Sequence, residues 1–289
     1  MAFDHDTVRQ INLIDAGRVA RVLGRLWSQA CVFDVQDVLA RDPTRTREAV
    51  DFVGAGRALK SLGEMRPAHA WLIATPDDAI PSVAAALRAS GSLRTSDIVF
   101  HCSGALPARV LGEGFVASVH PLKSFADAGD AVKSFAGTWC VAEGAREALV
   151  ALKPAFEAIG ACVTEIEARH KTLYHAGAVM MCNYLTALME AGLQCCDHAG
   201  LSRQDAMAMM APLAHETLTN VFKHDPADAL TGPIARGDSA LVARQLAALN
   251  ECNPQLAAVY RELGMVAAGL SRADAGAIEA IRDILRNAR

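Results

Sequence analysis

Residues 8–27 read VRQINLIDAGRVARVLGRLW. Apolar side chains at Val8, Ile11, Leu13 and Ile14 form a strand-like run that stops at Asp15-Ala16-Gly17. From Gly17 to Trp27 the apolar residues fall at Val19, Val22, Leu23 and Leu26, which is one face of a helix. A strand that turns within three residues into an amphipathic helix opens a βαβ unit. The pattern then recurs. Val35–Leu39 reads as a second strand, Ala49–Leu59 as a connecting helix, and His69–Ala74 as a third strand halted by Thr75-Pro76. Ile98–Cys102, Phe115–Val119, Thr138–Ala142 and Cys162–Ile166 give a fourth to a seventh strand. Strands alternating with helices of this length predict a doubly wound α/β domain, a mostly parallel sheet covered on both faces.

Beyond Glu167 the sequence is rich in Ala, Leu and Met and reads as helix throughout. Breaks fall at Gly200-Leu201-Ser202, Asp225-Pro226, Thr231-Gly232-Pro233 and Ser271. Ser202 with Asp205, and Ser271 with Asp274, resemble capping boxes with Asp in place of Glu. The expected organisation is therefore a sheet domain over 1–167 and an all-α domain over 168–289, with a ligand cleft at their junction.

Composition agrees with a globular chain of two domains. The chain has 289 residues, 52% of them hydrophobic and 21% charged, with a net charge of −4. That is too apolar for disorder and too acidic for a nucleic-acid binder with a basic face. No run approaches the roughly 20 uncharged apolar residues of a spanning helix, and MAFDHDTVRQINLID lacks the regions of a signal peptide. The eight cysteines form no paired C-x-x-C spacing, so buried, reduced thiols and a cytoplasmic location are expected. Met207, Met209, Met210 and Cys195-Cys196 read as helix core. His and Cys residues are scattered without ligand spacing, so no metal site is expected.

A doubly wound sheet binds ligands at the carboxyl ends of its strands, where the strand order reverses. Against the fingerprint G-x-G-x-x-G/A, Gly17 is the second glycine and Ala20 an allowed third position. Asp15, Ala16, Gly17, Arg18 and Val19 are thus candidate cofactor-binding residues, with pyrophosphate facing the amides of the helix N-terminus. Asp15 replaces the first glycine. At about 4 Å from a phosphate its carboxylate would cost about 4 kcal/mol at an effective dielectric near 20. Asp nevertheless tolerates a left-handed turn, so the fold survives more easily than the affinity. After the second strand, Ala40-Arg41-Asp42-Pro43-Thr44-Arg45-Thr46-Arg47 offers a phosphate clamp, with Arg41 first and Thr44 and Arg45 next. That favours NADP over NAD, although Asp37 would suit a ribose hydroxyl if the strand ended early, and a solvated helix start explains the arginines equally simply.

DAGRVA, ATPDDAI, HCSGAL and SVHPLKSF follow the first, third, fourth and fifth strands, and YHAGAVMMCNYLTALMEAG and LTGPIARGD follow in the helical half. Together they resemble the Rossmann-like NADP oxidoreductases that carry a helical C-terminal domain of unassigned function. More distantly the chain is similar to pyrroline-5-carboxylate reductases, ketopantoate reductases, deazaflavin-dependent NADP oxidoreductases and prephenate dehydrogenases. The resemblance implies a nicotinamide cofactor, a cleft between the domains and a homodimer built through the C-terminal helices. It implies no particular substrate.

Hydride transfer needs a proton donor or acceptor beside the reacting bond, and dipoles to hold it. Thr75 and Pro76 lie where similar enzymes line the cofactor riboses, or else form a plain strand-to-helix turn. Ser103, after the fourth strand, is placed to bond the nicotinamide amide or the substrate. His120 ends the fifth strand, and imidazole titrates near neutrality; Lys123 follows as an anion partner or an ordinary loop lysine. Lys171, His175, Val179 and Asn183 repeat every four residues on one helix face, beside Tyr174. Relatives among the hydroxyacid reductases place a Lys one turn before an Asn here; this chain has Val179, which leaves His175 as proton donor. Arg236 is a candidate carboxylate or phosphate clamp, or a structural partner of Asp238. The expected function is an NADP(H)-dependent oxidoreductase for a small carbonyl, imine or hydroxy compound. His120, His175 and Asn183 are its expected catalytic residues, and Ser103, Lys123, Tyr174 and Arg236 its substrate contacts. The competing reading is a non-catalytic, cofactor-sensing dimer weakened by Asp15.

Overall fold

The protein is described from a computed structural model covering residues 9–287; Val8 of the first predicted strand lies outside them. The chain divides into two compact units, Met1–Ala178 and Val179–Arg289.

The first unit holds one eight-stranded sheet in the order β3-β2-β1-β4-β5-β6-β7-β8. Its strands are β1 (Arg9–Ile14), β2 (Phe33–Leu39), β3 (Arg57–Leu59), β4 (Ala70–Ile73), β5 (Ile98–His101), β6 (Phe115–Pro121), β7 (Trp139–Gly144) and β8 (Cys162–Glu165). All neighbours are parallel except β6 and β7. The order reverses between β1 and β4, so a crevice opens at their carboxyl ends. The helices are α1 (Arg18–Gln29), α2 (Pro43–Val53), α3 (Ile80–Ala89), α4 (Ala128–Lys133) and α5 (Arg146–Glu157), with α6 (Lys171–Val179) following β8.

Alternation along the strands gives the sheet two cores. Leu13, Leu72 and Phe100 enter one, where Trp27 meets Phe33, Phe100 and Phe156 edge to face. Trp27 also donates its indole N–H to the Ala155 carbonyl at 2.9 Å, which satisfies the one polar atom that burial would orphan. Ile14, Trp71, Ile73 and Val99 enter the other core under α3.

The expected helix Ala49–Leu59 is corrected in both directions. Asp42 caps α2 by accepting from Thr44 N, and Pro43 follows at the first helical position. Gly54 (φ 79°) and Gly56 (φ 96°) then end the helix, because the left-handed region suits glycine. Arg57–Leu59 pairs with β2 as an eighth strand, too short to announce itself by periodicity.

In the second unit every described element is helical: the rest of α6 and a π-helical turn (Met180–Tyr184), then α7 (Leu185–His198), α8 (Arg203–His224) and α9 (Pro226–Ala229). α10 (Pro233–Arg236), α11 (Ser239–Cys252), α12 (Pro254–Leu270) and α13 (Ala275–Asn287) complete it. Ile234, Val242, Leu246, Ala257, Ile281 and Leu285 form its core. Ser202 caps α8 by accepting from Asp205 N. The cap of α13 is Asp274, which accepts from Gly276 N and Ala277 N; Ser271 instead donates to the Ile234 carbonyl. Met207, Met209 and Met210 are exposed rather than core. All eight cysteines are free, with Cys140 and Cys196 buried but Cys31, Cys162, Cys182 and Cys252 exposed, so the expectation of uniformly buried thiols is corrected. No helix among the described residues is long and apolar enough to cross a membrane.

Candidate active site

Two features lie toward the carboxyl ends of the parallel strands in the first unit. The first is the crevice between β1 and β4, a cavity of about 550 Å³ lined by Gly17, Arg18, Val19, Arg45, Ala74 and Ser124–Ala126. Gly17 starts α1 without a side-chain cap, and the first turn carries no acid, so the helix-start amides are available to an anion. Thr75, just beyond β4, has a buried hydroxyl oxygen with no hydrogen-bond partner. Such an orphan is costly unless a ligand completes it. A dinucleotide coenzyme fits these residues: amides and arginines for phosphates, and Thr75 for a hydroxyl or amide.

Asp15 adopts φ 96° and donates its amide to the Leu39 carbonyl at 2.8 Å. A Cβ on Gly17 would stand 2.9 Å from Asp15 Oδ2, so the carboxylate lies over the turn. Arg18 reaches the Ala126 carbonyl at 2.9 Å. Ala16 is buried, and Val19 lines the cavity. After β2, Arg41, Thr44 and Arg45 are exposed, while the Asp42 carboxylate is engaged as the α2 cap. Asp37 lies inside β2, fully buried, held by Arg57 at 3.2 Å and Arg66 at 2.7 Å. Burial pushes its pKa up, and hydrogen bonds from Arg66 and Arg57 more than offset this, so the carboxyl is held below its usual range. It is a structural anchor, and the thought that it serves a ribose is corrected.

The second feature is a polar cluster on the other sheet face, where the apolar alternation of β5, β6 and β7 gives way. His101, Ser118 and Glu143 are register partners across these strands, and His120 lies two residues beyond Ser118 on the same face. Ser103 Oγ donates to Asp77 Oδ2 at 2.7 Å, tying the turn after β5 to the turn after β4. His120 Nδ1 and the Tyr174 hydroxyl are 2.8 Å apart, and the His120 and His175 rings are 6.0 Å apart by centroid. Gly104 lies beneath both rings: a Cβ there would be 2.7 Å from His120 Cε1 and would overlap His175. Burial, reinforced by the Lys171 ammonium, pushes His101 and His120 down to about 4. Burial raises Tyr174 to about 12. At neutral pH His101 and His120 are therefore uncharged imidazoles and Tyr174 is a protonated phenol.

The structure brings His120, Tyr174, His175 and Ser103 into one assembly, and Thr75 lies two residues before Asp77 on the chain. Pro76 caps the short 3-10 turn Asp77–Ala79. Lys123 is directed elsewhere, donating to the Ser134 carbonyl at 2.7 Å. Asn183 lies in the second unit, exposed within the π-helical turn. The extra residue of that turn breaks the four-residue repeat, so the single face drawn through Lys171, His175, Val179 and Asn183 does not hold to its end. Arg236, exposed at the end of α10, also belongs to the second unit, and Asp238 accepts from Leu241 N as the α11 cap instead of pairing with it. Sequence reasoning did not assign Asp77, Ser118, Glu143, Gly104 or Lys171 to the site. The signal for Lys171 was its place one turn before His175.

Residues 138–266 match the family model described as Domain of unknown function (DUF2520). The fold is Rossmann-like. A protein of Thermotoga maritima is 22% identical with TM-score 0.74, covering 96% of this chain and 98% of that one. A Bacteroides fragilis protein, provisionally described as an NADP oxidoreductase, is 21% identical with TM-score 0.70 and the same coverage. A pyrroline-5-carboxylate reductase of Coxiella burnetii is 14% identical with TM-score 0.57, over 92% of this chain and 100% of that one. No curated protein matches at the sequence level. The likeness to these structures extends over nearly the whole chain.

Proposed function

We propose that the protein is an NADP(H)-dependent oxidoreductase acting on a small carbonyl, imine or hydroxy compound. The observation that carries the proposal is the uncapped start of α1 facing a crevice beside the buried, unpartnered Thr75 hydroxyl. The α1 amides, Arg18 and Arg45 would hold the coenzyme phosphates, and Arg41 with Thr44 a 2′-phosphate. The acids that a ribose hydroxyl would require are engaged elsewhere, Asp42 as a cap and Asp37 with arginines, which supports NADP over NAD. When bound, the nicotinamide supplies or accepts a hydride. The chain's own residues handle the rest. His120, uncharged and oriented at Nδ1 by Tyr174, offers Nε2 to the polarised oxygen or nitrogen of the substrate. His175, on the neighbouring helix face, exchanges the proton with that substrate atom. A homodimer through the C-terminal helices belongs to the same reading, supported by exposed Met207, Met209, Leu213 and Phe222. Free cysteines fit a cytoplasmic setting.

Fluorescence titration tests the coenzyme. NADPH is expected to bind at micromolar concentration and to weaken at least about tenfold in Arg41→Ala, with NADH little changed. Absence of binding by either nucleotide up to millimolar concentration would overturn the proposal. That result would favour the second reading, a non-catalytic dimer, which the Asp15 carboxylate over Gly17 supports.

A further inference from the structure

Lys171, the first residue of α6, is only 1% exposed, although an ammonium group resists burial without partners. Its Nζ donates to Ser118 Oγ at 2.6 Å and stands 3.8 Å from Glu143 Oε1. Glu143 in turn accepts from Ala108 N at 2.6 Å. Ser118 Oγ passes the interaction on, donating to the Ser103 carbonyl at 3.1 Å. The Ser103 amide donates to His101 Nδ1 at 3.1 Å. A ring nitrogen that accepts from a backbone N–H carries no proton, so His101 is neutral with its hydrogen on Nε2, which lies 3.5 Å from the Pro107 carbonyl. One buried ammonium thus sits over the His101–Ser118–Glu143 row and, through a hydroxyl, fixes the peptide leading to Gly104 under the two outer imidazoles.

We propose that Lys171 is a positioning residue of this site: through Ser118 it clamps the Ser103–Gly104 turn beneath the His120 and His175 rings, and its ammonium, seated over the His101–Ser118–Glu143 row, adds to burial in opposing a second positive charge at His120. The titratable or charged groups around His120 are Lys171, Tyr174 and His175 from α6, His101 and Cys102 from β5 and its end, Cys140 and Glu143 from β7, and Asp77 from the turn after β4. Lys171 and His175 disfavour the imidazolium, and Asp77 favours it. Burial holds the Lys171 pKa below the usual lysine range, and the Glu143 carboxylate offsets part of that fall. The inference rests on His120 as the substrate-facing group, but its test reads proton occupancy rather than turnover. Failure of coenzyme binding would sink the oxidoreductase reading and leave this test intact.

The experiment follows the His Cε1–H signals of 13C-labelled full-length protein against pH, with His101→Asn and His120→Asn as assignments. In the native protein neither signal is expected to titrate from about pH 9 down to about pH 5. In Lys171→Met/Glu143→Gln, which removes both charges and leaves neither unpaired, the His120 midpoint is expected to rise by about one pH unit. A native midpoint near the free imidazole value, or an unchanged midpoint in the double variant, would overturn the proposal. Ser118→Ala removes the relay without altering charge, and is expected to speed exchange of the Ser103 amide by about tenfold. Unchanged exchange would overturn the clamp, and this arm decides even if the double variant does not fold.

Discussion

His101→Asn tests the electrostatics of the sheet unit through its stability. His101 is fully buried and held down to about 4, against an unfolded value near 6.5. Between these values the unfolded chain carries a proton that the native protein excludes, so stability rises with pH. The contribution is fully present above the unfolded value and is lost as pH falls toward the folded one. One such histidine changes the unfolding free energy by about 2 kcal/mol between about pH 7 and about pH 4.5, at 1.36 kcal/mol per unit of pKa difference. Asn supplies an acceptor for the Ser103 amide and removes the titration. Trp27, Trp71 and Trp139, the three tryptophans of the chain, all lie in the first unit, so urea transitions followed by tryptophan fluorescence report that unit. The fall in stability from neutral to acid pH is expected to be smaller by about 2 kcal/mol in His101→Asn than in the native protein. Equal losses in the two proteins would refute the claim that His101 is buried neutral. His120 titrates over the same range in both and cancels in the difference.

Gly104→Ala would push a methyl group into the His120 and His175 rings and is expected to cost about 1–3 kcal/mol and to reduce turnover more than coenzyme affinity; an unaltered kcat would show that these rings are not the reacting surface. Thr75→Val removes the orphaned hydroxyl, so thermal unfolding should show the apoprotein stabilised by about 1 kcal/mol while NADPH binding weakens about fivefold to tenfold; equal binding would exclude that hydroxyl from the coenzyme site. Asp15→Gly relieves a left-handed backbone and removes a carboxylate from the phosphate path, so NADPH should bind more tightly, most clearly at low salt, and an unchanged constant would mean that Asp15 faces away from the phosphates. Arg66→Met leaves the buried Asp37 short of one cation and should destabilise the sheet unit by about 2 kcal/mol in urea titrations; a neutral effect would show that Arg57 suffices.

Order along the chain determined a good deal. Apolar runs such as Ile11–Ile14 and Ile98–Phe100, spaced by amphipathic helices, specify a mostly parallel sheet because parallel strands are buried on both faces. The turn at Asp15–Gly17 marks the switch point because strand, glycine and helix are contiguous, His120 was legible as a histidine at a strand terminus, and His175 as a polar group on an otherwise apolar helix. Local pattern did not reveal β3, whose three residues are paired by β2 rather than by their own periodicity, or the π-helical turn that takes Asn183 out of phase. Nor could it show which charges are already partnered. Asp37 finds Arg57 and Arg66, Lys123 finds the Ser134 carbonyl, and Lys171 finds Ser118 and Glu143, none of them within ten residues along the chain. A charged side chain reads alike in sequence whether solvent or a buried carboxylate receives it. Strand register alone brings His101, Ser118 and Glu143 into one row, and helix packing closes Lys171 over it.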